Sequence, residues 1–280
     1  MRKYIEQLLF LLFLLVLSWF LVSVLYQKAA ADALTKQKAV SEEFRNIRCS
    51  ELFLERLISI EAESYLKPSE ILTVLTPQKS EGIFQFPDSC TVSCLLKWKE
   101  ILQKYNRDGY EKVQKLYSAI WDDLCSFPVE LKIGAVYENS WMFERYYGGK
   151  RGHEGTDLIP PQNISGYYPI QSVTDGVVEQ IGWLPKGGYR IGIRSPHGGY
   201  FYYAHLDSYS ASYQIGDYVE AGEIIGFMGD TGYGKEGTRG QFPVHLHFGI
   251  YIQTDEFEEI SVNPYWILRY LELRTQRTAA

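Results

Sequence analysis

The pattern of apolar and polar positions begins with a long uncharged stretch near the amino terminus. Residues 8–26 read LLFLLFLLVLSWFLVSVLY, which is apolar on every side of a helix and therefore unlike the one-sided helices of a protein surface. At about 1.5 Å per residue, the stretch covers roughly 28 Å of a hydrocarbon core about 30 Å thick. We predict a transmembrane helix within residues 1–30, preceded by a short cytoplasmic tip.

Flanking residues bear on the topology of this segment. Arg2 and Lys3 precede it and only Lys28 closely follows it, so the positive-inside rule places the rest of the protein outside the cytoplasm. Alanines at 29–31 and 33 offer cleavage sites, which would make the segment a signal peptide and the protein secreted. Signal peptides have an apolar region of only about 7–15 residues, so we favour a retained single-pass anchor that contacts the membrane through residues 8–26.

Apolar residues recur at helical spacing in the next part of the chain. Between residues 34 and 66 they repeat at three, four and seven positions, which predicts one long amphipathic helix. Pro68 marks the start of another helix, and a further helical pattern runs from Cys94 to near Pro128. Residues 31–133 are therefore predicted to form a small all-helical juxtamembrane module, which is the candidate site for an envelope protein partner.

From about residue 134, short alternating runs separated by turn residues replace the helical pattern. The candidate strands are 172–183, 188–195, 199–207, 223–229 and 244–252. Residues 190–206 predict a β-hairpin, and Asn263 with Pro264 begins a closing helix at 265–273. We predict an α+β protein with an antiparallel, barrel-like sheet domain over 134–268 and a helix end and tail over 269–280.

Length and charge narrow the functional class. The chain has 280 residues, about two domains at roughly 150 residues each. Its net charge is −6, and the acidic excess lies entirely after Val136. A broad basic face is therefore not expected, and nucleic acid is not a predicted partner.

The four cysteines all fall in the helical part of the chain, at Cys49, Cys90, Cys94 and Cys125. Outside the cytoplasm they could form two disulfides in any of three pairings, and buried free thiols are an equal alternative. A metal site is less favoured, because this half of the chain contains no histidine.

Histidines carry the strongest chemical signal. Four of the five occur in three motifs of the strand-rich region: HEGTD with His153 and Asp157, YAHLD with His205, and VHLHFG with His245 and His247. Strand alternation puts His245 and His247 on one face. A single HLH is usually a polar strand face, but two histidines and an aspartate together suit zinc. The combination predicts a metal site.

Alternation also predicts the surroundings of the histidine in YAHLD. It aligns Phe201, Tyr203 and His205 on one side of their strand, which indicates an aromatic-walled cleft. The remaining histidine, His197, lies in the turn SPHGG and is expected at the surface.

The order of these motifs carries a family resemblance. HxxxD, YAHL, GDxVxAGxxIGxMGxTG and HLHF resemble the lysostaphin-type, or LytM-like, zinc endopeptidases, which cut the peptide part of peptidoglycan. The match covers roughly residues 137–266. The resemblance implies one zinc ion per chain, held by His153, Asp157 and His247, with the fourth position left for a water molecule.

Catalytic residues also follow from the resemblance. It implies that His205 and His245 divide proton transfer and oxyanion support between them, in an order that stays open. It further implies an upstream tyrosine that stabilises the oxyanion, for which Tyr147 is preferred over Tyr146. The loop GYGKEGTRGQFPV at 232–244 is longer than the family's common turn, so the identity of the cut bond stays open.

Two other functions compete with this hypothesis. Residues 229–236 nearly match a phosphate-binding loop, but Glu236 replaces the magnesium-binding hydroxyl and no helix is predicted to follow, so no nucleotide is expected. A membrane-anchored scaffold of an envelope or sporulation complex is the second alternative. Because every predicted site residue is present, the sequence favours an enzyme, a zinc-dependent metalloendopeptidase that acts on peptidoglycan.

Overall fold

A computed structural model describes residues 2–87 and 90–279. The first half is helical, with α1 (Arg2–Thr35), α2 (Glu42–Asn46), α3 (Glu51–Glu63), α4 (Pro68–Leu75), α5 (Val92–Tyr105) and α6 (Arg107–Trp121). A last helix, α7 (Tyr265–Ala279), follows the sheet. Met1 and Ala280, at the ends of two predicted segments, lie outside the described residues.

The single long helix predicted over 34–66 is wrong. α1 ends at Thr35, and Ile47 adopts a left-handed conformation with φ 48° that ends α2. New helices begin because Ser41 Oγ and Ser50 Oγ each accept a hydrogen bond, at 3.2 Å, from the backbone N–H three residues ahead. The apolar spacing did not reveal these breaks, because the short helices bury their side chains in the same core.

The other helical predictions agree better with the structure. A helix does begin at Pro68, which occupies the first turn of α4. The pattern predicted from Cys94 to Pro128 becomes α5 and α6, which are separated at Asn106. The Oδ1 of Asn106 accepts a hydrogen bond from the Gly109 N–H at 3.0 Å, and this cap starts α6.

α1 runs without a break from the apolar stretch into the folded part of the chain. Residues 8–22 are exposed, whereas Ala31 is fully buried. The Tyr26 ring meets Trp98 of α5 edge-on with centroids 5.9 Å apart, and Asn106 Nδ2 donates to the Ala31 carbonyl at 2.8 Å. The helix is long and apolar enough to cross a membrane, and its position near the amino terminus also fits a signal sequence.

The second half consists of antiparallel strands. They are β1 (Glu144–Arg145), β2 (Arg151–Gly152), β3 (Thr156–Leu158), β4 (Pro169–Gln171), β5 (Gly176–Leu184), β6 (Gly188–Arg194), β7 (Tyr200–Tyr209), β8 (Tyr218–Val219), β9 (Ile224–Met228), β10 (Leu246–Ile252) and β11 (Ile260–Val262). β1 and β2 form a small sheet, and the main sheet has the order β11-β10-β7-β6-β5-β8, with β3 beside β10 and β9 between β4 and β7. The predicted α+β class is confirmed.

The β6–β7 hairpin predicted at 190–206 is confirmed as well. Its turn carries His197, which is exposed as expected and places Nδ1 2.6 Å from Asp123 Oδ1 in the segment after α6. The hairpin therefore touches the helical half as well as forming the centre of the sheet.

α7 packs against the helices of the first half of the molecule. Its first N–H, from Tyr265, donates to Asn263 Oδ1 at 3.0 Å, which is the predicted cap. Tyr270 meets Trp121 of α6 edge-on with centroids 5.3 Å apart, and its hydroxyl donates to Glu61 of α3 at 2.6 Å. The buried residues of the helices and of the sheet belong to one continuous hydrophobic core. The domain bounds at 133/134 and 268/269 stay predictions, and the second of them falls within α7.

The cysteines are free thiols in the structure, which is the second of the two alternatives that the sequence left open. Cys49 and Cys90 are buried, Cys94 is partly buried and Cys125 is exposed. Burial raises the pKa of the Cys90 thiol to about 11, so this group is protonated at neutral pH.

Candidate active site

Strand pairing brings the three predicted metal ligands together. Asp157 of β3 lies opposite His247 of β10, and His153 follows β2 just before β3. His153 Nε2, Asp157 Oδ1 and His247 Nδ1 lie 3.0 Å from one another. Tetrahedral zinc with bonds of about 2.0–2.1 Å places its ligands roughly 3.3 Å apart, so this cluster matches a zinc site closely.

A glycine makes room for the cluster. A Cβ at Gly155 would lie 2.5 Å from His247 Cε1 and 2.7 Å from the carbonyl oxygen of Phe248, closer than packed atoms approach. The glycine of the HEGTD motif is therefore required so that the β2–β3 turn can bring His153 against β10.

Neighbouring polar groups orient the ligand side chains. His153 is 3% exposed, and its Nδ1 lies 3.2 Å from the Ser140 carbonyl oxygen. The same Nδ1 lies 3.2 Å from Arg145 Nη2, so Ser140 and Arg145 together hold the ring with Nε2 turned toward Asp157 and His247. Arg145 Nη2 donates to Asp157 Oδ2 at 3.0 Å. Sequence analysis missed Arg145, because only the pairing of β1 with β2 brings it to the site.

The surroundings set protonation states that suit a metal. Burial opposes ionisation of Asp157, but hydrogen bonds from His153 and His247 outweigh it and lower the pKa of the carboxyl. Burial lowers the pKa of His247, against the opposing pull of Asp157. A carboxylate and neutral imidazoles are the forms that bind zinc.

His205 and His245 lie beside the cluster. The ring centroid of His205 is 4.7 Å from that of His245 and 6.0 Å from that of His247. His205 Nδ1 lies 2.8 Å from the Thr231 carbonyl oxygen, and His245 Nδ1 lies 2.8 Å from the Pro243 carbonyl oxygen. Both histidines therefore carry a proton on Nδ1 and leave Nε2 outside these hydrogen bonds.

The predicted neighbours of His205 are wrong. His205 has φ 61°, a left-handed conformation uncommon outside glycine, and the β6–β7 register shifts beside it. Phe201 and Tyr203 are fully buried in the core, whereas His205 faces the cleft. Sequence alternation cannot detect a residue that leaves regular strand geometry.

The loop before β10 supplies aromatic neighbours that sequence analysis missed. Tyr233 and Phe242 meet His205 edge-on, with ring centroids 6.1 Å and 4.5 Å away. Tyr147 stacks on Tyr233 with centroids 3.9 Å apart and is 43% exposed, whereas Tyr146 is 70% exposed. In the sequence, the only indication of these neighbours was that Tyr233 and Phe242 are aromatic residues in a Gly-rich loop.

The three ligand residues, His205 and His245, together with Tyr233 and Phe242, line a cleft of about 1260 Å³, whereas Tyr147 lies outside its lining. One face of the sheet forms its floor, where Tyr202 of β7 meets His247 edge-on with centroids 6.0 Å apart. The predicted aromatic wall therefore exists, but other residues build it. The volume exceeds the roughly 300–1,000 Å³ of pockets for small molecules and fits a segment of a longer chain.

Three converging ligand atoms beside two further histidines are typical of zinc metallopeptidases. The sequence profile of peptidase family M23 matches residues 151–264 of this chain. A crystal structure from Ruminococcus gnavus ATCC 29149, provisionally named a glycyl-glycine endopeptidase lytM, is 44% identical with a TM-score of 0.74, and the match covers 88% of this chain and 96% of that one. The chain belongs to peptidase family M23, and the resemblance found in its motifs is confirmed.

Curated relatives agree with this family. The L-Ala–D-Glu endopeptidase of Bacillus subtilis (strain 168) is 39% identical over 163 residues, which are 58% of this chain and 48% of the relative. Lysostaphin of Staphylococcus simulans is 34% identical over 116 residues, which are 40% of this chain and 21% of lysostaphin. The chain thus spans about half or less of these relatives. Family M23 peptidases are zinc-dependent, and the predicted zinc cofactor is confirmed by the family and by the ligand cluster.

Proposed function

We propose that the chain is a zinc endopeptidase that hydrolyses peptide bonds in peptidoglycan. The observation that carries the proposal is the convergence of His153 Nε2, Asp157 Oδ1 and His247 Nδ1 within 3.0 Å of one another. Relatives named as endopeptidases support the enzyme over the scaffold alternative, which they do not favour.

The proposed roles of the residues follow from their hydrogen bonds. His153, Asp157 and His247 would hold zinc, which when bound supplies a Lewis acid and an activated water near neutral pH. His205 and His245 each have Nδ1 held by a backbone carbonyl, so each Nε2 is positioned to accept a proton from the attacking water or to support the oxyanion once protonated.

Tyr147 has a less direct role in the proposal. Its stack on Tyr233 fixes the ring against the loop whose residues flank His205, which supports a place beside bound substrate. The preference for Tyr147 over Tyr146 rests on this contact, because Tyr146 is exposed and donates its hydroxyl to Glu144 at 2.6 Å.

We further propose that α1 is a retained single-pass anchor that holds the peptidase outside the cytoplasm. The candidate cleavage sites at 29–33 lie inside a continuous helix, and Tyr26 and Ala31 both contact the helical module. Cleavage there would remove the contact between Tyr26 and Trp98. An envelope protein partner of the helical module stays a prediction.

The test uses the full chain in detergent, because α7 packs on α3 and the peptidase part is not shown to fold alone. Zinc per chain is measured by atomic absorption, and fragments released from peptidoglycan are identified by mass spectrometry. We expect one zinc ion and new peptide termini. His245→Ala should keep the zinc and lower the rate by about 10²–10⁴-fold. Cleavage by His245→Ala at the wild-type rate would contradict the proposed site.

A further inference from the structure

Arg190 is a buried cation on the floor of the cleft. It lies on β6, lines the cavity described above, and is only 9% exposed. Its Nη2 donates to Gln180 Oε1 at 3.2 Å. Its Nη1 is buried and has no acceptor among residues 2–87 and 90–279. One half of the guanidinium group is therefore without a hydrogen-bond partner.

The next arginine on the same face of β6 shows what a satisfied guanidinium looks like here. Arg194 donates from Nε and Nη2 to the two carboxylate oxygens of Glu179, at 2.6 Å each, and from Nη2 to Glu259 at 2.8 Å. Arg190 forms no ion pair with any carboxylate in the described part of the chain, and its single partner is a neutral amide. Two carboxylates thus compensate the positive charge of Arg194, whereas none in the described residues compensates that of Arg190.

The tyrosines beside Arg190 do not neutralise it. Burial raises the pKa of Tyr202 to about 12, although Arg190 pulls it down, so the phenol is uncharged at neutral pH. Burial of a cation without a compensating anion is unfavourable, and a bidentate carboxylate is the ligand that best fits a guanidinium group. The floor of the cleft therefore contains a position that favours an anionic group.

The position is close to the ligand cluster. His247 of β10 pairs with Ala204 of β7. Arg190 of β6 lies opposite the part of β7 between Tyr203 and Leu206, where the pairing register shifts. Two strand spacings separate β10 from β6, which is roughly 10 Å. Arg190 and His247 line the same cleft, so a substrate residue next to the bond held at the zinc site can lie beside the guanidinium group.

We propose that Arg190 binds the carboxylate of an acidic residue that adjoins the scissile bond. This inference rests on the proposed endopeptidase function and names the substrate class. The relatives offer both kinds of bond by name, L-Ala–D-Glu in Bacillus subtilis and glycyl-glycine in Ruminococcus gnavus. D-Glu keeps one carboxyl group after forming two peptide bonds, whereas glycine keeps none. On this inference the cut bond adjoins D-Glu rather than lying between two glycines.

The experiment compares two peptides with the full zinc-loaded chain in detergent. Both contain L-Ala–D-Glu–L-Lys, and the remaining D-Glu carboxyl is free in one and amidated in the other. We expect kcat/KM for the free carboxylate to exceed that for the amide by at least about tenfold, which is the effect of a charge-assisted hydrogen bond. Pentaglycine should be cleaved no better than the amide.

Variants of β6 assign this preference to one residue. Arg190→Gln should bring the carboxylate-to-amide ratio close to one, by slowing the carboxylate peptide alone. Arg194→Gln is the matched control, on the same strand and face, and should leave the ratio unchanged. Arg190→Lys retains the charge without the planar fork and should keep part of the ratio. Circular dichroism and zinc content establish that each variant is folded.

The outcomes separate this inference from the proposed function. A wild-type ratio near one, with both peptides cleaved, overturns the role of Arg190 and leaves the endopeptidase intact. The same holds if Arg190→Gln keeps the wild-type ratio. If Arg190→Gln does not fold, Arg190→Lys together with calorimetric binding of the two peptides to the wild type decides the matter, and equal affinities count against the inference. A zinc-loaded chain that cleaves neither peptides nor peptidoglycan contradicts the proposed function itself.

Discussion

The two faces of the main sheet are made by the same strands but have opposite properties. On the core face, Ile191, Phe201 and Phe248 are fully buried. On the cleft face, next to them in the chain, Tyr202 and His247 line the substrate cavity. Because side chains alternate along a strand, residues for stability and residues for chemistry are separated by a single position.

The difference shows how the fold can hold groups that do not stabilise it. The cleft face carries ligand atoms crowded within 3.0 Å of one another and a guanidinium with an unused donor. The core face packs apolar side chains, and the free energy gained by burying them offsets the unfavourable contacts on the cleft face. The effect of a substitution should therefore depend on which face the side chain occupies rather than on its distance from the zinc site.

The largest contrast is expected between neighbours on β10. His247→Ala removes a ligand and should lower zinc affinity and peptidoglycan cleavage by more than the roughly 100-fold seen when outer partners are lost. Phe248→Ala should instead lower the free energy of unfolding by about 3–5 kcal/mol, while the folded fraction keeps its zinc. Urea unfolding of the zinc-free proteins and zinc analysis measure the two effects. Equal destabilisation by both substitutions would contradict the claim that only the core face provides stability.

Two adjacent tyrosines of β7 sharpen the comparison. Tyr203 Oη accepts a hydrogen bond from the Val173 N–H at 2.8 Å inside the core. Tyr203→Phe leaves that N–H without a partner and should cost about 1–3 kcal/mol of unfolding free energy. Tyr202→Phe, on the cleft face, should change it by less than about 0.5 kcal/mol. The same urea titration compares them, and a larger loss for Tyr202→Phe would contradict the assignment of faces.

The cleft face should also make the zinc-free protein sensitive to acid. Burial lowers the pKa values of His205 and His247 below their ordinary value of 6.5. The unfolded chain binds these protons first as the pH falls, so the stability contribution is complete above about pH 6.5 and is lost below it. We expect a slope of up to about 1.4 kcal/mol per pH unit for each histidine. Urea unfolding with a chelator from about pH 8 to about pH 5 tests this, and His205→Gln should flatten the curve.

The smallest expected effect concerns the backbone at His205. Because φ is 61° there, His205→Gly should be more stable than His205→Ala by about 1–2 kcal/mol. At Ala204, which is buried and regular, replacement by glycine should instead be destabilising by about 0.5–1 kcal/mol. Thermal unfolding measures both pairs. If glycine is the less stable choice at both positions, the left-handed conformation is not a source of strain.

The sequence predicted those parts of the site that depend on local periodicity. The face shared by His245 and His247 followed from alternation along β10, and the hairpin followed from its turn residues. His205 was placed beside the wrong rings, because its left-handed conformation is set by contacts from other strands. Arg145 and Arg190 gave no local signal at all, since only the pairing of their strands with other strands brings them to the cleft.

Helix boundaries were less predictable for a related reason. Ser41 and Ser50 end the predicted long helix by starting new ones, and nothing in the apolar spacing marks a cap. Asn106 was equally inconspicuous, although it both starts α6 and binds the Ala31 carbonyl of α1. Polar residues that interrupt a helix become visible only when their hydrogen bonds are known.

The unbroken α1 has a mechanical consequence for an anchored enzyme. Its 34 residues extend about 51 Å as a continuous helix, and the contacts at Tyr26 and Ala31 tie its carboxy-terminal part to the helical module. A flexible linker in place of this helix would let the cleft reach polymer at many distances from the membrane. With the proposed anchor retained, a stiff stalk would set one height and one tilt, so the peptidase would reach only the layer of polymer nearest the bilayer.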